Sequence, residues 1–429
     1  MSAQHHFSPS FWKAGHWGTL LSSLLYFDFC FAIWVLNGAM APYITEHFRL
    51  SPVETGFMLS VPVLAGALLR VPFGIVAQYI GRKNAAQINM AIVVIGLILS
   101  RFLVESLAGV LILGVFLGMA GASFGIALSL GSGWYPPKYK GLAMGIAGAG
   151  NSGAVLAALF APVAAKALGW EAVYTYAIIP IAIVMVIMQV FAKEPPDREE
   201  KHRFGEYLKI LVDRDVWVFN LMYMVTFGGY IGLTSFIPTL FYDQYSIPKE
   251  SVGQYSAVVI VMASILRIIG GGAADKIGGI RMLMVLCTAI IALTMVAATI
   301  PSHPLVMVGI LVVLFSVMGA GNGAVFQLVP LRFKTSTVVA SSMVGEIGAL
   351  AGGFLPNAMG IGREMAGSYA PGFLAGSFLS VLVLMALFVV VREWTSTWVG
   401  AGGTALPEHH LDFGVNGLSE EFVTVEGGK

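Results

Sequence analysis

V-L-A-G-A-L-L-R-V-P-F-G-I-V-A-Q-Y-I-G-R-K, from Val63 to Lys83, sets one arginine inside an apolar run and ends on a glycine followed by two bases. A second stretch, V-M-A-S-I-L-R-I-I-G-G-G-A-A-D-K-I-G-G-I-R from Val261 to Arg281, repeats the plan. Arg70, Gly74 and Gly81 fall 197 residues before Arg267, Gly271 and Gly278. The same shift carries Gly148 onto Gly345 and Phe31 to within one residue of Phe227. A guanidinium at bilayer depth costs at least ~2.5–3.5 kcal/mol on insertion scales. A chain that does this at two equivalent places has a use for both charges, and holding an anion is the simplest.

Around these stretches the chain is apolar throughout. Of 429 residues, 57% are hydrophobic and 11% charged, against roughly 25% charged in an ordinary soluble domain. Windows long enough to cross ~30 Å of hydrocarbon fall at about 19–41, 54–77, 84–103, 109–132, 141–168 and 172–192, then 216–241, 252–274, 281–300, 305–329, 337–361 and 371–391. The expected fold is an all-α polytopic membrane protein of twelve helices in two six-helix bundles, residues 1–192 and 216–399. The charged stretch A-K-E-P-P-D-R-E-E-K-H-R-F-G-E-Y lies in a linker over 193–215, and residues 400–429 form a polar tail expected to be disordered. The first apolar run lacks a small-residue cleavage site and is expected to stay as a membrane helix.

With a cytoplasmic N-terminus, sixteen loop bases from Lys13 to Arg392 lie inside, and only Arg49, Arg101, Lys166, Lys249 and Arg363 lie outside. The positive-inside rule then puts both termini in the cytoplasm of a cell (inner) membrane. A net charge of +1 gives no reason to expect a nucleic-acid partner. Cys30 and Cys287 offer neither a disulfide framework nor metal-ligand spacing. No P-loop, metal cluster or nucleophile with a base is visible, so neither an enzyme nor a cofactor is expected. Six-helix parallel repeats with a site where they meet are the plan of a secondary transporter.

The two loops G-I-V-A-Q-Y-I-G-R-K (Gly74, Gly81, Arg82) and G-G-A-A-D-K-I-G-G-I-R (Gly271, Asp275, Gly278) resemble the conformational loop signature of the major facilitator superfamily. The first copy carries Gln78 where an acid is usual. G-I-A-G-A-G-N-S-G-A-V from Gly145 to Val155 resembles the signature of the nitrate/nitrite porter family within it, and M-V-G-E-I-G-A-L-A-G-G-F-L-P from Met343 to Pro356 resembles its counterpart. The second signature has fewer glycines than usual and holds Glu346.

The resemblance implies that Arg70 and Arg267 grip nitrate or nitrite from opposite halves and that Asn151 donates to it. It further implies that Tyr223, Phe227, Phe124 and Phe31 close over the anion, with Gly148 beside it. The chemistry suits that reading, because a planar oxyanion accepts paired N–H bonds from a guanidinium fork that a lysine would not reproduce. Tyr223 and Phe227, four residues apart, share a helical face.

Each residue also has a plainer reading. Arg70 lies about seven residues from the end of its span and could snorkel to the interface. The glycines could serve helix packing and Asn151 a helix-to-helix hydrogen bond, while the aromatics could be core or lipid contacts. Asp28, within about 60° of Phe31 on the helix, is a candidate proton carrier or a partner for a buried base. Glu346 is the second acid near the centre. It stands two residues before Gly348, the counterpart of Asn151, a step of about 200°, and is expected to face away from the pocket.

The implied activity is alternating-access transport of nitrate and nitrite, as proton-coupled uptake or as exchange. A carrier for formate or oxalate, a non-transporting membrane sensor and an anion channel are the alternatives. The partners expected are the small anion, the lipid bilayer and, for symport, protons.

Overall fold

The computed structural model describes residues 11–196, 201–334 and 336–406. Twelve helices among them are long and apolar enough to cross a membrane. Spans 1 to 6 are Trp17–Phe48, Pro52–Ile80, Arg82–Leu103, Leu107–Ser132, Leu142–Leu168 and Trp170–Phe191. Spans 7 to 12 are Arg214–Tyr245, Val252–Ile277, Gly279–Ala298, Pro304–Arg332, Val339–Ala366 and Ala370–Thr397. Each coincides with an expected apolar window, and the helices overrun the windows where polar residues continue them beyond hydrocarbon. Span 12 continues through Arg392 because Trp394 is buried and its indole N–H donates to Asp215 Oδ1 at 2.9 Å.

Local chemistry sets the span ends. Ser51 and Glu54 form a capping box at the start of span 2, with Pro52 at its first position. Spans 2 and 8 end on Gly81 (φ 88°) and Gly278 (φ 94°), a left-handed-side conformation that a Cβ disfavours. The 197-residue repeat is therefore visible as two identical helix stops.

The two halves meet along span 2 against span 11 and span 5 against span 8. A Cβ on Gly56 would strike the backbone of Pro356, and one on Gly253 the Ala158 carbonyl. On the face away from the linker, the Lys249 ammonium pairs with Glu46, Tyr242 Oη donates to Glu46 Oε2 at 2.9 Å, and the Val53 N–H donates to Glu364 Oε2 at 3.2 Å. That face is closed by charged and polar ties from both halves. On the linker side of spans 4, 5 and 8, Gly125, Gly145 and Gly272 have nothing within 4 Å of where a Cβ would stand.

The linker is structured where it is described. A helix over Phe204–Lys209 sets Tyr207 among Val71, Val339 and Met343, between spans 2 and 11. The tail expected from residue 400 to be disordered begins instead with an ordered turn, Ala401–Gly403. Gly403 is buried against Ile280, because the glycine backbone fits under the Gly278 helix stop. Residues 407–429 of that tail lie outside the described residues.

Span 1 lies directly on the glycine signature of span 5. A Cβ on Gly150 would sit 2.7 Å from the Asp28 backbone nitrogen, and one on Gly153 would collide with the Asp28 carbonyl oxygen. Gly153→Ala is therefore expected to part spans 1 and 5 at an overpacking cost on the order of 1–3 kcal/mol. A thermal melt of the purified protein should show the loss. A wild-type melting temperature would mean that this contact is not made.

Candidate functional site

Four spans depart from regular helix around the buried Arg70 and the partly buried Arg267. Span 1 breaks at Val35, between Trp17–Trp34 and Leu36–Phe48, and span 4 breaks at Ala122, between Leu107–Gly121 and Ser123–Ser132. Span 5 tightens into a 3-10 turn over Ala149–Ser152, and span 7 widens into a π turn over Met224–Gly228. Trp34, Phe124, Asn151 and Phe227 stand on or beside these irregular turns. Such turns re-aim side chains and leave carbonyls free to accept from elsewhere.

Arg70 uses one of those carbonyls. Its Nη2 donates to Gly121 O at the span 4 break, 3.2 Å away, and its Nη1 donates to Gly345 O of span 11 at 2.8 Å. It thus bridges the halves while only 5% exposed, and its Nε is buried without a partner. Its Cζ lies 5.6 Å from the Trp34 ring, 5.3 Å from Phe124 and 5.9 Å from Phe227. Arg267, from span 8, sets its Cζ 5.5 Å from the same Phe124 ring. Its Nη1 is buried with no hydrogen-bond partner. The two guanidinium groups therefore share one aromatic ring and feel each other's charge.

Tyr223 completes this constellation. Its ring stacks on Phe227 at 5.0 Å with an interplanar angle of 7°, as the four-residue spacing requires. Its hydroxyl is buried, unpartnered and within electrostatic reach of both arginines. Gly348 makes room for that ring, since a Cβ there would collide with Tyr223. Three unpartnered donors from spans 2, 7 and 8 thus surround aromatic walls, an arrangement that suits a small, partly dehydrated anion.

The remaining expected residues fall in the following places. Phe31 is fully buried and packs on Trp34 at 5.3 Å and Tyr230 at 6.3 Å, one layer behind the arginines. Gly148 faces Leu128 of span 4. Asn151 is buried, and its amide nitrogen, oriented as its neighbours require, donates to Gly148 O at 3.2 Å and Ala149 O at 3.3 Å. Its backbone carbonyl accepts from Tyr230 Oη across the halves at 3.3 Å.

Asp28 accepts from Ser152 Oγ at 2.6 Å. Of the two roles expected for it, proton carrier or partner of a buried base, the second is not what this contact shows, since the partner is a hydroxyl of span 5. Glu346 requires a correction, because it does not face away. Its neighbour Gly345 is the carbonyl that Arg70 grips, which turns that edge of span 11 onto span 2 and brings the Glu346 carboxylate within electrostatic reach of Arg70.

The loop residues show how the N-terminal half manages without an acid at position 78. Glu194, just beyond span 6, accepts from the Arg82 N–H at 2.7 Å and the Lys83 N–H at 2.8 Å, capping span 3. Arg82 Nη1 donates to Ser129 O at 3.2 Å. Gln78 ties to the linker, donating to Tyr207 Oη at 3.0 Å and accepting from the His202 N–H at 2.8 Å. In the other half Asp275 is exposed and Gly271 packs against Gly323 of span 10, whereas Gly74 in the first half faces open space.

Residues 22–356 match the family profile described as Major Facilitator Superfamily. The chain is 30% identical over 365 residues to "Nitrite extrusion protein" of Bacillus subtilis (strain 168), a match covering 84% of this chain and 90% of the relative. It belongs to the nitrate/nitrite porter family of the major facilitator superfamily. Another relative of this porter is the "Probable nitrate/nitrite antiporter NarK1" of Thermus thermophilus, 29% identical over 78% of this chain and 82% of the relative. A bacterial homolog of the human lysosomal transporter Spinster, solved inward-facing and unoccupied, shares the porter's fold with a TM-score of 0.67 at 19% identity, covering 92% of this chain and 100% of that one.

Sequence reading of the porter missed Trp34, Tyr230, Phe326 and Glu194. Phe326 meets Tyr223 edge-on at 5.1 Å, which no local pattern announces. Trp34 had a signal in its neighbours, since Gly66 and Gly121 are the glycines that admit its indole.

The two arginines differ in their ties to the protein, and that difference is measurable. Arg70→Lys cannot reach the Gly121 and Gly345 carbonyls together, and each lost bond to a charged group is worth about 1.5–3 kcal/mol. It is expected to lower the melting temperature of the ligand-free porter clearly more than Arg267→Lys. Equal or reversed losses would mean that Arg70 is not the anchor.

Proposed function

We propose that this porter carries nitrate and nitrite across the cell membrane by alternating access, with one anion held between Arg70 and Arg267. The observation that supports it most is the approach of Arg70 and Arg267 to the shared Phe124 ring, with Arg70 Nε and Arg267 Nη1 unpartnered and the buried, unpartnered Tyr223 Oη within electrostatic reach of both. An oxyanion supplies the acceptors those donors lack, and the aromatic walls remove its water. Small carboxylates such as formate are the competing cargo. The basic loops favour both termini in the cytoplasm, so the tied face of the fold looks outward.

Exchange of one anion for the other is the coupling that the geometry favours. Without a bound anion the two guanidinium groups repel across Phe124, which raises the cost of closing an empty carrier. Proton-coupled uptake, with Asp28 as the proton carrier, is the second reading. It draws on the half-buried carboxylate next to the span 5 signature. Inward movement of nitrate works against ~2.3 kcal/mol per 100 mV of inside-negative potential, so net uptake needs that proton.

In proteoliposomes, labelled nitrate is expected to enter when nitrite or nitrate is inside and to stay out when a pH gradient is the only drive. Accumulation on the pH gradient alone would replace exchange with symport, and Asp28→Asn should then abolish it while sparing counterflow. Arg70→Lys and Arg267→Lys should each abolish counterflow, since an ammonium keeps the charge and loses the fork. Near-normal flux in both at wild-type abundance would sink the two-arginine site. Formate competing as well as nitrite does would widen the substrate to small carboxylates.

A further inference from the structure

Asn322 of span 10 was singled out by no sequence motif, and it is a deeply buried amide near the site that lacks every partner; Asn220, one turn before Tyr223 on span 7, is another. Asn322 is 1% exposed, and both its Oδ1 and its Nδ2 are without a hydrogen bond. Its place follows from its neighbours on the helix. Phe326, one turn later, meets Tyr223 edge-on at 5.1 Å and lies 6.4 Å from Phe124. Phe315, two turns earlier, meets Tyr230 at 5.7 Å. Asn322 is therefore level with the part of span 7 between Tyr223 and Tyr230, which is the π turn that carries Phe227.

The residues on either side of it fix it there. A Cβ on Gly321 would strike the Thr226 side chain, and one on Gly323 would strike the carbonyl oxygen of Arg267. Span 10 is thus pressed against the π turn on one side and against the arginine's own backbone on the other. An amide so placed, with neither atom bonded, calls for a group that the protein does not supply.

Nitrate and nitrite differ in one acceptor. Both Arg70 terminal nitrogens already donate to carbonyls, so Arg70 does not offer a wholly free fork. An anion with three oxygens therefore has an acceptor to spare for a donor outside the arginine pair, whereas an anion with two has less. We propose that Asn322 is a specificity-determining residue that donates its amide N–H to the third oxygen of nitrate, an oxygen that nitrite lacks. This rests on the reading of the central site as a nitrate and nitrite site.

Binding of each anion to the purified porter, followed by calorimetry, tests the assignment with Asn322→Leu, Asn322→Ala and Asn322→Ser. Asn322→Leu is expected to weaken nitrate about ten-fold while nitrite changes by no more than about two-fold. Asn322→Ser, which keeps a donor, should recover part of the nitrate loss. Equal changes for both anions, or unchanged nitrate binding at a wild-type melting temperature, would overturn the proposal and make Asn322 a packing residue. If the leucine variant does not fold, the nitrate-to-nitrite affinity ratio in the alanine and serine variants decides in the same way. A wild-type protein that binds neither anion would overturn the reading of the central site itself, whereas an unchanged ratio overturns only the role of Asn322.

Discussion

Two permanent positive charges facing one aromatic ring inside an apolar bundle are the constraint around which this fold is arranged. Arg70 and Arg267 both approach Phe124. The acid within electrostatic reach of Arg70 is Glu346 on span 11, beside the carbonyl that Arg70 already holds. Charge in such a place is tolerable only if dipoles and hydrogen bonds replace the water that was lost. The helix break at Ala122 and the close approach of span 11 supply two carbonyls to Arg70, whereas Arg267 Nη1 is left without a partner, as the proposed anion site requires.

That requirement explains why irregular backbone collects here. A membrane helix with intact bonding offers few unsatisfied groups to a ligand or a neighbour, and irregular turns are tolerated at this depth only where protein covers them. The broken turns of spans 1, 4, 5 and 7 are covered by Trp34, Phe124, Tyr230 and Phe227, all of them buried. The span 5 glycines serve the same arrangement by letting span 1 lie against the 3-10 turn. The signature therefore acts here mainly through close backbone packing, with the Asn151 carbonyl tied to Tyr230 of the opposite half.

The two faces of the molecule are managed differently. Away from the linker, Glu46, Lys249 and Tyr242 join the halves through groups that must separate for that face to open. Toward the linker, Glu194 and Gln78 tie the first loop signature to segments after span 6, while in the second half the Ala401–Gly403 turn seats on the Gly278 stop. The repeat in sequence is thus completed by different partners in each half.

The sequence by itself determined the twelve spans, their grouping by sixes and the two arginines, because hydrocarbon thickness and the cost of buried charge act residue by residue along the chain. It also determined that Tyr223 and Phe227 share a face, which is a matter of helical period. Tertiary structure alone decided which carbonyls hold Arg70, that Asp28 bonds to Ser152, that Glu346 turns toward span 2 and that Asn322 is left unpaired. Those outcomes depend on contacts between spans 51 to 275 residues apart in sequence, and on breaks in helical bonding that shift the phase of every residue beyond them. A periodic reading of Glu346 failed for this reason: rotation relative to Gly348 says which way a side chain leaves its own helix, and only packing says what stands there.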